Sequence, residues 1–371
     1  MSKLVILELE GDFQASGFRA TLEIRLEEAL PTLKIKGFLP PAPELALHLQ
    51  QHWQQNYRSL GMAQRIQGQK IIYKGSINRR IAECRASAQQ VRDRFQDWLN
   101  AESFQIIDRR LREALHRHDL IRFLLCTDHP QLQKLPWHEW DFFERYPYAE
   151  VAFGSTEYDS SPQSTTVAKN SHVRILAILG NSKGIDLETD RYKLNALPGA
   201  EVEFLVEPDR QQVSDRLWEQ SWNILFFAGH SETKDDIGRI YINQTDSLSL
   251  SELKYGLRKS IAQGLQLAIF NSCDGLGLAY ELRQLHLPQM IVMREPIIDP
   301  VAHTFLQYFL DAFLAVYLLS GHPTSQRAPA RLGTSVSLCQ LAACDLPKLC
   351  RSSTNLDRFC RPEFKPRFKL K

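Results

Sequence analysis

The sequence predicts an α/β protein in which a mainly parallel sheet flanked by helices follows an α+β N-terminal region. Three observations predict it. Beyond residue 169, short apolar runs alternate with helical patterns, the rhythm that builds a parallel sheet under helices. The runs at 173–179, 223–227 and 265–270 are apolar along almost their whole length, which fits strands covered on both faces. The first forty residues instead alternate apolar and polar side chains, the pattern of half-buried strands.

Taken in order, residues 4–9, 19–26 and 33–37 read as a β meander punctuated by Gly11, Gly17 and Pro31. Pro40-Pro41-Ala42-Pro43 stops the chain. Helical periodicity follows at 44–57 (Leu45, Leu47, Trp53) and at 78–99 (Ile81, Val91, Phe95, Trp98, Leu99). A strand at 120–126 precedes an aromatic turn and helix at 135–143, whose Trp137, Trp140, Phe142 and Phe143 are expected to pack the two halves together. The polar stretch 155–170 is the best linker. Strands are then expected at 173–179, 201–206, 223–227, 265–270 and 289–293. Helices are expected at 187–196, 209–218, 249–262, 276–285 and from Asp299 toward Phe313, with a small hairpin at 236–242. Ser249-Leu250-Ser251-Glu252 has the spacing of a capping box at the start of the 249–262 helix.

These elements divide the chain into an N-terminal α+β region at 1–168, an α/β core at 169–315 and a tail at 316–371. The tail carries ten Lys or Arg against three acidic residues, a local charge of +7 that leaves −5 elsewhere, and four of the seven cysteines. It has neither helical nor strand period and is expected to be poorly ordered. The whole chain, at 371 residues and a net charge of +2, gives no reason to invoke nucleic acid or an anionic membrane. Its 43% apolar and 24% charged residues describe an ordinary globular protein. The N-terminus lacks the order of a signal peptide, and the most apolar stretch, 305–319, contains Gln307 and Asp311 and falls short of a span. An odd cysteine count without paired spacing favours reduced thiols, so a cytoplasmic location is expected. Gly275 and Gly277 do not make a dinucleotide fingerprint, no phosphate loop is present, and the tail cysteines lack zinc-site spacing. No cofactor and no metal are expected.

Two strand ends carry chemistry. Gly229-His230-Ser231 closes the 223–227 run, and Asn271-Ser272-Cys273-Asp274-Gly275 closes the 265–270 run. Neighbouring parallel strands would present both at one edge of the sheet, where open α/β sheets hold ligands. A free thiol, with a pKa near 8.5, is mostly protonated at neutral pH. An adjacent imidazole takes that proton, and a following helix start favours the thiolate further. Cys273 is therefore the candidate nucleophile toward a peptide carbonyl, and His230 the base that later protonates the departing amine. The backbone N–H groups of Ser231 and Cys273 are candidates for an oxyanion hole, with Gly229 and Gly275 allowing close approach and a tight turn.

Other candidates carry less. His48 and His52 sit four apart but lack the Glu of a metalloprotease helix, so a solvated helix face is expected. His116 and His118 are expected on the surface of a charged helix with Arg109, Arg110, Arg112 and Arg117. Asp299 stands ahead of Pro300 as a helix N-cap would.

The two site motifs together resemble the Cys-His dyad of the CHAT family, caspase-like domains related to separases. The resemblance runs through Leu135-Pro136-Trp137 and the helix after Asp299, spanning 121–315. It implies a caspase-hemoglobinase fold for the 169–315 core, and a cysteine-type peptidase acting on a protein or peptide substrate. It also implies a regulatory role in the bacterial cytoplasm with protein partners, and the N-terminal region resembles cyanobacterial relatives. Basic-specific relatives place acidic groups in the substrate pocket, which makes Asp274 and Asp299 the pocket candidates here. The chain departs from the family pattern at Ser231, where relatives more often have glycine, and in the short loop at Leu276-Gly277-Leu278. It departs again past Ala315, where an aberrant C-terminus is expected to leave the sheet one strand short. The competing expectation is a catalytically silent adaptor that binds partner proteins through the same fold.

Overall fold

A computed structural model describes residues 2–26, 29–60, 77–154, 173–234, 237–272, 275–293, 295, 302–307, 309–310 and 335–338. The chain divides into two compact units: Met1–Leu60 with Ile71–Tyr158 and Ser335–Gln340, and Gly61–Lys70 with Asp159–Thr334 and Leu341–Lys371. The expected linker at 155–170 and all of the tail except 335–338 lie outside the described residues.

In the first unit, β1 (Ser2–Asp12), β2 (Gly17–Leu26) and β3 (Leu33–Leu39) form the expected antiparallel meander. Alternation decides its faces: Phe18, Ala20, Leu22 and Ile24 are buried on one side of β2, while on the other Glu23 meets Lys34 across the strand pair at 3.6 Å. Helix α1 (Pro43–Gln51) begins on a proline and passes into a π-helical turn at His52–Tyr57. Helices α2 (Ile77–Leu99) and α3 (Gln105–Ala114) follow. Strand β4 (Leu120–Cys126) runs parallel to β1. After the short helices α4 (Pro130–Lys134) and α5 (Asp141–Arg145), β5 (Ala149–Gly154) pairs parallel with β4.

Three expectations change here. β5 has no counterpart in the sequence reading, because Ala149-Glu150-Val151-Ala152-Phe153-Gly154 is too short and small for alternation to stand out. His52 is buried, with Nδ1 3.2 Å from the Ser87 hydroxyl and its ring edge-on to Trp53, so it is no solvated face. The α3 helix ends at Ala114, which leaves His116 and His118 exposed beyond it. Within the first unit, Trp137 lies edge-on to Phe95, and Trp140 contacts Phe104, Phe123, Phe142 and Phe143.

The second unit is built on five parallel strands: β6 (Val173–Leu179), β7 (Ala200–Val206), β8 (Ile224–Ala228), then β12 (Leu267–Asn271) and β13 (Gln289–Val292). Between β8 and β12 the chain makes a separate antiparallel sheet of β9 (Ser231–Lys234), β10 (Ile237–Tyr241) and β11 (Ser247–Ser249). The parallel strands lie in the order β13-β12-β8-β6-β7. Numbered along the chain this is 5-4-3-1-2, a doubly wound order whose direction reverses between β6 and β8. Every residue of β8 and β12 is buried, as their apolar runs at 224–228 and 267–270 require, and Asn271 closes β12 as a buried polar residue. β7 is the edge strand and carries Glu201 and Glu203, the latter ion-paired with Arg216 at 2.6 Å.

The crossovers are helices α6 (Leu187–Asn195), α7 (Arg210–Glu219), α8 (Lys254–Ala262) and α9 (Leu276–Gln284), with further helical turns at 302–307 and 309–310. Asp209 and Gln212 close a reciprocal capping box on α7 at 2.8 and 3.0 Å. Ser249 and Glu252 also exchange hydrogen bonds, yet the α-helix starts only at Lys254, because the intervening residues form tighter turns. Strand β14 (Ser335–Leu338), which belongs to the first unit, lies in the segment expected to lack any strand and pairs antiparallel with β5 at Val336–Phe153. Among the described residues, no helix is long and apolar enough to cross a membrane.

Candidate active site

The carboxyl ends of β6, β8 and β12 converge on one edge of the parallel sheet, and β6–β8 is the point where the strand order reverses. Open α/β sheets hold ligands in the crevice at such a point. His230 emerges there, two residues after the last residue of β8. Gly229 makes the exit: its φ is +157°, and a Cβ at that position would sit 3.0 Å from the Phe227 ring and 3.3 Å from Gly180 Cα. A side chain at 229 would be pressed against two walls.

His230 is 2% exposed. Its Nε2 lies 2.8 Å from the Lys183 carbonyl oxygen, in the loop after β6. A carbonyl only accepts, so Nε2 carries the hydrogen, and in the neutral ring Nδ1 holds the lone pair. That Nδ1 is buried and has no hydrogen-bond partner among the described residues. The backbone around it is tied at three points. Tyr241 N–H donates to the His230 carbonyl at 2.9 Å, the Tyr241 carbonyl accepts from Asn181 N–H at 2.9 Å, and Gly180 N–H donates to the Ala228 carbonyl at 2.8 Å. Ser231 is the first residue of β9, opposite Ile240, and is 1% exposed. On the same small sheet, burial and the 2.6 Å hydrogen bond to Glu232 push the Tyr241 phenol up to about 12.

At the end of β12, Asn271 pairs in register with Ala228 of β8. Its amide donates to Asp190 Oδ1 on α6 at 3.1 Å, and Asp190 has no exposed surface. His303 Nε2 stands 3.7 Å from the same carboxylate oxygen and 2.9 Å from the Asp186 carbonyl. A buried carboxylate requires such partners, so this network anchors α6 and the 302–307 turn to the strand end. Ser272 is also fully buried. Gly275 N–H donates to the Met293 carbonyl at 2.8 Å, and a Cβ there would come within 2.8 Å of Val292 Cβ.

Of the site residues read from the sequence, His230 and Ser231 therefore lie at the carboxyl edge of the sheet. Cys273, Asp274 and Asp299 lie outside the described residues. What the structure adds on either side is register: His230 follows Ala228 by two positions, as Cys273 follows Asn271 by two in the sequence, and Ala228 and Asn271 are paired. Sequence reading passed over Asn181, Lys183, Asp190 and Tyr241. A signal was present for the first, since Gly180-Asn181-Ser182-Lys183-Gly184 is turn chemistry placed directly after a buried strand.

The first unit supplies a contrasting thiol. Cys126, at the end of β4, is pushed up to about 12 by burial, with further repulsion from Glu8 and Asp128. A reactive thiol needs the opposite environment. At pH 8, native Cys126 is expected to react with iodoacetamide at least about tenfold more slowly than in the urea-unfolded chain. Because its folded pKa lies above the unfolded value near 8.5, its contribution to stability is complete below that pH and is lost as pH rises toward 12. Equal native and unfolded rates would contradict this burial.

The sequence profile of the CHAT domain matches residues 104–328, more than half of the chain and somewhat more than the 121–315 expected. No curated protein matches the chain.

Proposed function

Because this chain belongs to the CHAT domain family, we propose that it is a caspase-like, cysteine-type endopeptidase that cuts a regulatory protein substrate with Cys273 and His230. The supporting observation is the state of His230: Nε2 is pinned to the Lys183 carbonyl, and Nδ1, without a partner among the described residues, is held at the sheet's carboxyl edge. In the reaction, Nδ1 takes the Cys273 thiol proton and the sulfur bonds to the peptide carbonyl carbon. The carbonyl oxygen becomes an oxyanion facing the Ser231 and Cys273 N–H groups. The C–N bond then breaks, and His230 returns its proton to the departing amine. Water, deprotonated by the same Nδ1, releases the acyl group and restores the thiol. Asp274 and Asp299 are proposed to line the pocket for a basic substrate residue. A cytoplasmic, cyanobacterial-type protein with regulatory partners completes this reading, and no cofactor takes part in it.

One observation favours a second reading. The His230 residue is only 2% exposed, as expected of a catalytically silent adaptor or a gated site. Two measurements separate the readings. A thiol-reactive probe should label Cys273 faster than the other six cysteines if its thiolate is stabilised, whereas uniform labelling favours the adaptor. A peptide-library assay should then show turnover by the parent and none by Cys273→Ala. Identical turnover by the two ends the peptidase reading.

A further inference from the structure

We propose that Asn181 is a positioning residue for His230, acting through the Lys183 carbonyl to fix which imidazole nitrogen carries the proton. The inference rests on the peptidase reading above and names a device that serves it.

Asn181 is the second residue after β6 and is 1% exposed, although Asn is normally a surface residue. Its side-chain Oδ1 accepts from Lys183 N–H at 3.0 Å, closing an Asx turn, and the chain then turns away through Gly184 at φ +80°. That turn orients the carbonyl of the same residue, Lys183, toward His230 Nε2 at 2.8 Å. The backbone of Asn181 is fixed as well, since its N–H donates to the Tyr241 carbonyl while Tyr241 N–H donates to the His230 carbonyl. One residue of β10 thus holds both the loop that supplies the acceptor and the residue that meets it. Gly180 permits this closeness, because a Cβ there would fall 2.3 Å from the Tyr241 carbonyl oxygen.

The consequence is tautomeric. With the Lys183 carbonyl in place, hydrogen on Nε2 is favoured and Nδ1 is left as the acceptor. With the turn relaxed, the carbonyl swings away, both tautomers are populated, and the ring loses its fixed orientation. Removing the Asn181 side chain therefore weakens proton transfer at Nδ1 without touching the dyad.

The test is the pH dependence of Cys273 alkylation by iodoacetamide, followed by peptide mapping in the full chain. It compares the parent, Asn181→Ala, Asn181→Ser and His230→Ala. In the parent, alkylation should persist well below the free-thiol pKa of about 8.5. His230→Ala should return the profile to the free-thiol position. Asn181→Ala should lie between them, with the rate at pH 6.5 lowered about tenfold from the parent. Asn181→Ser, whose hydroxyl closes the same turn more weakly, should recover part of that loss. It also decides the matter if Asn181→Ala does not fold. A parent-like profile in both Asn181 variants, with a shifted His230→Ala profile, overturns the positioning role and leaves the dyad standing. A parent-like profile in His230→Ala overturns the dyad and this inference with it.

Discussion

His230→Ala is expected to lower kcat/KM for peptide hydrolysis about 10²- to 10⁴-fold, the range a positioned general acid–base group supplies. The geometry argues for a loss in kcat more than in KM. The imidazole is buried behind Gly229, with one nitrogen committed to a backbone carbonyl, so it offers little surface for ground-state contact. On the proposed peptidase reading, its contribution comes when the thiol proton leaves and again when the amine must be protonated. Cys273→Ala should fall to background, and the double variant should be no worse than Cys273→Ala alone, because residues acting as one unit are not additive. A His230→Ala variant with parental kcat/KM would remove His230 from the chemistry.

Trp137→Ala is expected to destabilise the protein by about 3–5 kcal/mol, the cost of removing a fully buried large aromatic. Trp137 has no exposed surface, lies edge-on to Phe95 at 5.2 Å, and donates its indole N–H to the Leu132 carbonyl at 2.7 Å. The substitution leaves a large void and removes one of two hydrogen bonds to the Leu132 carbonyl, which still accepts from Leu135 N–H at 3.3 Å. Trp137→Phe should cost less, since it keeps most of the volume and loses chiefly the hydrogen bond. Urea unfolding reads both. A Trp137→Ala midpoint equal to the parent's would mean that the aromatic cluster does not support the first unit.

Much of this architecture was legible because its strands obey simple rules. β8 and, up to Asn271, β12 are unbroken apolar runs, and β2 alternates cleanly, so their burial followed from sequence period alone. β5 was missed because alanines and a glycine give alternation little contrast. The Ser249–Glu252 pattern predicted the right hydrogen bonds but the wrong helix start, since capping geometry forms equally on a tight turn. At the site, His230 stood out as a reactive residue ending an apolar strand. The residues that tie down the two strand ends did not, because Asn181, Asp190 and Tyr241 come from three other elements and meet them only after folding. His52 misled in the opposite sense. Spacing put it on a polar helix face, yet a π-helical turn rotates the chain at that residue and carries the ring inward.

The pairing of Ala228 with Asn271 has a consequence for how such a centre tolerates change. Two exits that leave adjacent hydrogen-bonded strands are separated by a ruler of about 4.8 Å, set by backbone geometry rather than by any loop. Segments beyond each exit can lengthen, shorten or acquire new chemistry while that gauge stays constant. On the proposed reading, diversification of what the centre recognises can proceed in those segments without resetting the spacing of the two strand exits.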